Sequence, residues 1–447
     1  MLSTETNERS SSAAGYAIQL QCLSRFGGFE LLESAIEGVQ NLNPERKSRR
    51  QLFLTESSKE LDRGRLKALL CIWEQILSGH QEVKDMMQDC SHAVLQSEAL
   101  LKENLLVALG ATRTLEQSYR NVSLFFANTE EEKVKNVSFL NAAPEQLRDL
   151  DNSRFLDAIR QELSQHYDRL DLKGNYSLLL MPGYAGSNKI LEKWARMAYD
   201  NKCLLITDFC HMDAPDDVME MFDAACLTGA EACKSNVIMT CNWLIGRGKA
   251  IQVGEKEHVL VSPSGALAGR IYSTLMSQVT AGKKYGALRE VDGVSFELKK
   301  SEIATLEKLG LVPMVQEYGR VMAFSAKTLF TGDNIGLQTY SVVRVFDYVT
   351  KVLIDFLNRR AFENFSANTR KDLQRQIIQF LDSITGPDRL IEDFEIRRFE
   401  QDNRQKDTIH LDIFLKPYFP ARNFMIRMDG HKGEDANAWE TSYEQTK

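Results

Sequence analysis

No apolar run in this sequence reaches the roughly 18–20 residues that a helix needs to cross a bilayer, so direct membrane insertion is not expected. The opening stretch, MLSTETNERSSSAAG, has no apolar core of signal-peptide length, and a cytoplasmic location is the expectation. Eight cysteines occur without a CxxC pair. Cys203/Cys210 and Cys226/Cys233 each have six residues between them, which fits no common zinc spacing. Reduced, mostly buried thiols of a cytosolic protein are expected instead. With only seven histidines and no HExxH, metal-dependent hydrolysis has little support. A net charge of −7 argues against generalised binding to nucleic acid or anionic membranes.

What is present is ordinary for a globular chain: 447 residues, 43% hydrophobic and 26% charged, enough for two or three domains. Residues 1 to about 15 are polar and serine-rich, a composition that favours mobility. From Phe29 to about Phe125 the pattern is helical. Leu66, Leu69, Leu70, Trp73, Ile76 and Leu77 recur at helical spacing, with Gly79 as a stop. Val83, Met87, Cys90 and Val94 begin a second helix that is expected to reach Gly110. Each helix must bury one stripe, against its own domain or against a partner. Arg46, Lys47, Arg49 and Arg50 form a short basic cluster, which an acidic chain explains better as a solvated loop than as a nucleic-acid patch.

After Asn136 the pattern turns mixed. Tyr176–Met181 and Cys203–Thr207 read as buried strands flanking a helix at Asn188–Tyr199, and Asn236–Thr240 reads as another strand after a helix at Asp216–Cys226. That is a βαβ arrangement with parallel pairing. The loop Gly183–Lys189 sits where phosphate loops sit but does not match GxxxxGK[ST], and Gly246-Arg-Gly-Lys249 lacks the context. Asp208, His211, Asp213, Asp216 and Asp217 crowd the end of a strand, where α/β enzymes place catalytic groups. A helix start accounts for more of them: Asp213 as cap, Pro215 early, and Asp216 and Asp217 on the positive end of the dipole. Ser262-Pro-Ser-Gly265 is not a GxSxG elbow.

The stretch His258–Met428 carries the most specific signal. It opens with a strand-and-turn run holding Pro263, Ser264, Gly265, Ala268 and Gly269, followed by Gly282 and Gly286. Leu306, Leu309, Gly310 and Leu311 then lead to Gly319, Val321 and Ala326-Lys-Thr328-Leu329. A long amphipathic helix contains Arg344, and Phe362–Asn368 precedes a helix ending at Phe380-Leu381. In this order the residues resemble the C-terminal part of contractile tail-sheath proteins. "IATLEKLGLVPMV" and "MAFSAKTLF" are similar to segments of the large sheath subunit of type VI secretion, the TssC/VipB type.

The periodicity fits a polymer subunit. Val342, Val345, Val349 and Phe356 make one apolar stripe, and Leu373, Ile377, Leu381 and Ile384 another before Gly386-Pro387. Ile409, Leu411, Ile413 and Leu415 alternate with period two, as do Phe424, Ile426 and Met428. Composition leaves an internal hairpin and sharing between subunits equally open; the resemblance favours sharing. The expected class is mixed α/β and α+β. Residues 1–135 would form a helical, partner-contacting region, 136–255 a central α/β domain, 256–428 a tail-sheath-like α+β domain, and 429–447 an acidic flexible tail. The resemblance implies a non-enzymatic structural subunit without cofactors. It would pair with a small TssB/VipA-like subunit, polymerise around an Hcp-like inner tube on a baseplate, and be recycled by an AAA+ unfoldase. A single-component phage-type or extracellular sheath is the near alternative, and a cytosolic α/β enzyme using Asp208, His211 and Asp213 the distant one.

Overall fold

Helix periodicity dominates the first of two units into which the chain divides, Met1–Val107 and Ala108–Lys447. A computed structural model describes residues 51–444, apart from residues 52, 80–81, 130–133, 135, 150–153, 422–424 and 432–437. The basic cluster at 46–50 and Phe424 lie outside the described residues. In the first unit a 3-10 turn at Ser57–Lys59 runs into α1, Glu60–Gly79. Leu66, Leu69, Trp73, Ile76 and Leu77 are its half-buried stripe, while Leu70, expected with them, is exposed. The helix α2, Val83–Ala127, starts in this unit and continues into the second. It does not stop at Gly110. A glycine inside a helix costs only about 1 kcal/mol, which the contacts made further along outweigh.

The second unit is organised on a five-stranded sheet. After α3 (Pro144–Arg148) and α4 (Arg154–Tyr167) come β1 (Leu178–Met181), α5 (Asn188–Asp200), β2 (Leu204–Asp208), α6 (Pro215–Ala225) and β3 (Val237–Cys241). β1 pairs with β2 and β2 with β3, all parallel, which is the expected βαβ arrangement. The chain then leaves for a small antiparallel sheet of β4 (Leu244–Arg247), β5 (Val259–Val261) and β6 (Gly293–Val294), ordered β5-β4-β6, with α7 (Ser264–Ser273) and α8 (Gly282–Tyr285) between the last two strands. It returns through α9 (Lys300–Lys308) to β7 (Leu311–Glu317), parallel to β3, and closes with β8 (Arg320–Ala323), giving the order β1-β2-β3-β7-β8. The main sheet therefore draws strands from both sides of the boundary expected at 255/256, and no domain edge falls there.

Strand alternation divides the core. Leu205, Val237, Met239, Leu311 and Val315 face one cluster with Trp194, Phe209 and Phe222. Leu204, Ile206, Ile238, Val312 and Met314 face the other, with Leu124, Ala268 and Tyr340. A third cluster lies among α10 (Tyr340–Arg359), α11 (Ala367–Ile384), β9 (Ile391–Gln401) and β10 (Ile409–Pro417). One face of α10 supplies Val345 and Val349 to it. The other carries Asp347, Lys351, Asp355 and Arg359 at every fourth position, and these fasten the third layer to the sheet domain. Asn236 donates to Asp347 at 2.7 Å, Lys351 to the Tyr176 carbonyl at 2.8 Å, and the Leu172 N–H to Asp355 at 3.0 Å.

The last elements are β11 (Met425–His431) and β12 (Ala438–Glu444), an antiparallel pair. The expectation of a flexible tail from residue 429 is thus corrected over this strand. The thiol expectation needs correction too. Among the described cysteines, all free, Cys203, Cys233 and Cys241 are buried while Cys71 and Cys226 are exposed. No helix among the described residues is long and apolar enough to cross a membrane.

Candidate functional site

The residues of the Pro263–Gly269 run form a helix start, not a turn, and they meet the ends of several strands of the second unit. Pro263 precedes α7 and offers no cap of its own. The cap comes from Asp208 at the end of β2. Its Oδ1 accepts from the Ser264 N–H at 2.8 Å and from the Thr240 hydroxyl at 2.5 Å; its Oδ2 accepts from the Gly183 N–H at 2.8 Å and the Ser264 hydroxyl at 2.5 Å. One buried carboxylate thus joins the ends of β1, β2 and β3 to the N-terminus of α7, where the dipole favours a negative charge. Burial pushes its pKa up to about 6, and the four donors oppose that rise.

The motif's small residues let α7 meet α2 backbone to backbone. A Cβ on Gly265 would lie 2.7 Å from the Asn121 carbonyl oxygen, and one on Gly269 only 2.2 Å from that of Phe125. Ala268 is buried beside them. Asn128 then seals the end of α2: its Nδ2 donates to the Arg289 carbonyl at 3.2 Å and its Oδ1 accepts the Arg289 N–H at 2.8 Å. The same face of α2 covers the open edge of β5. Arg113 donates to the His258 carbonyl at 2.6 Å, Gln117 to that of Leu260 at 2.9 Å, and Asn121 to the Ser262 hydroxyl at 3.0 Å. Side chains at helical spacing thus satisfy carbonyls at alternate strand positions and remove a sticky edge. Arg247 on β4 adds a charged clamp. It reaches Glu116 of α2 at 2.9 Å and Glu255 at 2.8 Å, and its guanidinium holds the Glu255 carboxyl down at about 2.

The other motif residues do not join this node. Gly310 ends α9, and Gly319 stands in the turn between β7 and β8. Thr328 is buried and donates to the Leu337 carbonyl at 2.7 Å, pinning its loop. Asn368 is exposed in the first turn of α11. Arg344 donates to the Ile271 carbonyl at 3.2 Å, its Nη1 is buried without a partner, and desolvation lowers its pKa to about 10.

The acidic cluster does not converge either. Asp213 is almost fully exposed, 3.7 Å from His211, and neither touches the Asp208 carboxylate. Asp213 does not cap α6: the cap position is Ala214, with Pro215, Asp216 and Asp217 in the first turn. Among the described residues no group of His, Cys, Asp and Glu side chains is placed to hold a metal. The signal that sequence reading missed was the pairing of Asp208 with Ser264, which two separate motifs had assigned to different functions.

Of the terminal strand residues, Leu411, Ile413 and Leu415 point into the third core, while Ile409 is 41% exposed. The backbone places Ile426 and Met428 in β11, opposite Tyr443 and Thr441. Among the described residues β9–β10 and β11–β12 are each two-stranded sheets, so each leaves unpaired edges there.

The chain matches three family models in succession: the TssC/VipB-like N-terminal region over residues 17–105, the type VI secretion system TssC/VipB central domain over 107–331, and the TssC/VipB-like C-terminal domain over 339–445. The chain belongs to the TssC/VipB family. It is thereby a type VI secretion sheath subunit by family, as the order of motifs from Pro263 to Leu381 led one to expect. The family's central domain ends after Leu329 and includes β7 and β8, in line with the strand order of the main sheet. Solved structures give partial likenesses. The contracted helical sheath of the anti-feeding prophage is 17% identical with a TM-score of 0.49, covering 70% of this chain and 81% of that one. The baseplate structure of the same particle gives 16%, 0.45, 65% and 81%. A sheath tail protein of Desulfitobacterium hafniense gives 11%, 0.32, 58% and 60%. No curated protein matches the chain.

Proposed function

We propose that this TssC/VipB-family chain is the large subunit of a two-component contractile sheath. It polymerises with a small TssB/VipA-like subunit around an Hcp-like inner tube, is founded on a baseplate, and drives the tube outward from the cytoplasm. Contraction is a cooperative switch between two subunit packings, and an AAA+ unfoldase recycles the product. The observation that carries the reading is the pair of two-stranded sheets at the C-terminal end. A lone pair such as β11–β12 is marginal in water, and the edges left open among the described residues accept further strands by main-chain hydrogen bonds. Because Leu411, Ile413 and Leu415 face their own core, sharing uses the backbone edge of β10 and the β11–β12 pair that contains Ile426 and Met428.

A second surface supports the need for a different partner. On the first unit Met87, Val94 and Leu101 of α2 recur every seven residues and are 64%, 55% and 58% exposed. Among the described residues nothing covers this seam, which suits a partner helix. The structural role of the family supports reading the subunit as a non-enzymatic sheath component, and the one buried carboxylate of the acidic cluster is engaged by structural donors. The helical first unit would be the partner-contacting domain, the residues from α2's end to β8 the central domain, and α10 to β12 the shared C-terminal domain.

Negative-stain microscopy of the chain, alone and co-expressed with the small protein encoded beside it, tests this. Hollow tubes that need both chains, and that disappear when residues 425–447 are removed, are the expected result. Tubes from this chain alone would favour a single-component sheath. Compact particles in both cases would overturn the polymer reading.

A further inference from the structure

The start of α10 gathers buried polar atoms that the fold leaves unanswered. Arg344 lies one turn into this helix, and its Nη2 donates to the Ile271 carbonyl near the end of α7 at 3.2 Å. Its Nη1 is buried without a hydrogen-bond partner among the described residues. No carboxylate acts on it there either. Burial lowers its pKa to about 10, and the group that opposes this is the Tyr340 hydroxyl, a turn earlier on the same face. That hydroxyl accepts the Thr280 N–H at 2.8 Å, which brings Thr280 to the same place. The Thr280 side chain is fully buried, and its hydroxyl is unpartnered. Ser341, three positions before Arg344 and so beside it on the helix, is 1% exposed and equally unpartnered. Thr339, at the cap position, gives α10 no side-chain cap, so the positive end of the helix dipole adds to the guanidinium charge. Against this stands the end of α7 at Ile271, which carries about half a negative charge. A guanidinium N–H and two hydroxyls, buried beside excess positive charge, call for an acceptor that is itself charged.

We infer that the first turns of α10 bind a small monovalent anion of chloride size, which accepts from Arg344 Nη1 and from the hydroxyls of Thr280 and Ser341. A guanidinium already committed to Ile271 through Nη2 presents one N–H rather than a fork. That suits a spherical ion better than a phosphate or carboxylate, which binds bidentately. A water molecule would answer the hydrogen bonds but leave the charge. Arg344 as a residue is only partly buried, so the ion has a route in. Bound there, it ties α10, and with it the third core cluster, to the end of α7 and the loop behind it. The site does not depend on the polymer reading.

The test is thermal melting of the full chain in sodium gluconate and in sodium chloride or bromide at one ionic strength, so that screening is constant. The melting temperature should climb with halide and stand about 3–4 °C higher at a hundredfold excess over the dissociation constant. Thr280→Val should move the midpoint of that response to about tenfold more halide. Arg344→Met should melt no lower than wild type in gluconate and show no response to halide. Crystals grown in bromide should give an anomalous peak within hydrogen-bonding reach of Arg344 Nη1. Equal melting of wild type in gluconate and halide, a halide response that survives in Arg344→Met, or a site filled by an ordered water only would each overturn the assignment.

Discussion

Gly269→Ala is the sharpest test of how this second unit is held together. A methyl group at that position would stand 2.2 Å from the Phe125 carbonyl oxygen, 3.0 Å from its carbon and 3.2 Å from Asn128 Cβ. The nearest neighbours are main chain of α2, which cannot rotate aside, so α7 and α2 must separate by on the order of 1 Å in a close-packed interior. Overpacking costs about 1–3 kcal/mol, and a clash with main chain that cannot move aside belongs to the upper part of that range, about 2–3 kcal/mol. Alanine recovers about 1 kcal/mol through its better helix propensity, leaving a net loss of about 1–2 kcal/mol. For a unit of this size that lowers the melting temperature by about 1–3 °C. Gly110→Ala is the matched control: it lies within α2, nothing comes within 4 Å of its would-be Cβ, and the same propensity gain should raise the melting temperature by about 1 °C. Differential scanning calorimetry on both variants reads the contrast directly. If Gly269→Ala melts at or above the wild-type temperature, the close approach of α7 and α2 is not what the small residues are for.

Asp208→Asn should cost about 2–4 kcal/mol, because each carboxylate oxygen takes one backbone N–H and one hydroxyl. Either orientation of an amide then sets its NH₂ against a backbone donor, and a denaturant midpoint equal to wild type would refute this. Glu255 has a folded pKa of about 2, below its unfolded value, so its stabilisation is present above about pH 4.5 and is lost as pH falls toward 2. That amounts to at most about 3 kcal/mol, and Glu255→Gln should flatten the acid limb of a stability–pH curve; an unchanged limb would remove the Arg247 clamp as its cause. Arg344→Met should be at least as stable as wild type, by up to about 2 kcal/mol, because it removes a buried guanidinium without a carboxylate partner; a loss above about 1 kcal/mol in urea titration would contradict that.

Much of this architecture was legible in the sequence because it is encoded by local periodicity. The stripes on α1, α10 and α11, the alternation in β10 and the buried runs of β2 and β3 follow from local sequence patterns that need no knowledge of the partner, whereas β1 is buried only at Met181. The family was legible for a related reason: the order of Gly, Pro and small residues from Pro263 to Leu381 records where backbones must turn or meet. Tertiary structure decided which backbone meets which. Gly110 looked like a helix stop, yet α2 runs on to Ala127, since Arg113, Gln117 and Asn121 find carbonyl and hydroxyl partners on a strand more than a hundred residues away. Asp208 stood in a cluster open to a catalytic reading and Ser264 in an expected turn, yet each completes the other's hydrogen bonding at a helix start. Periodicity fixes which face of an element is buried, but the identity of the neighbour on that face depends on contacts distant in sequence, and these exist only once the chain has folded.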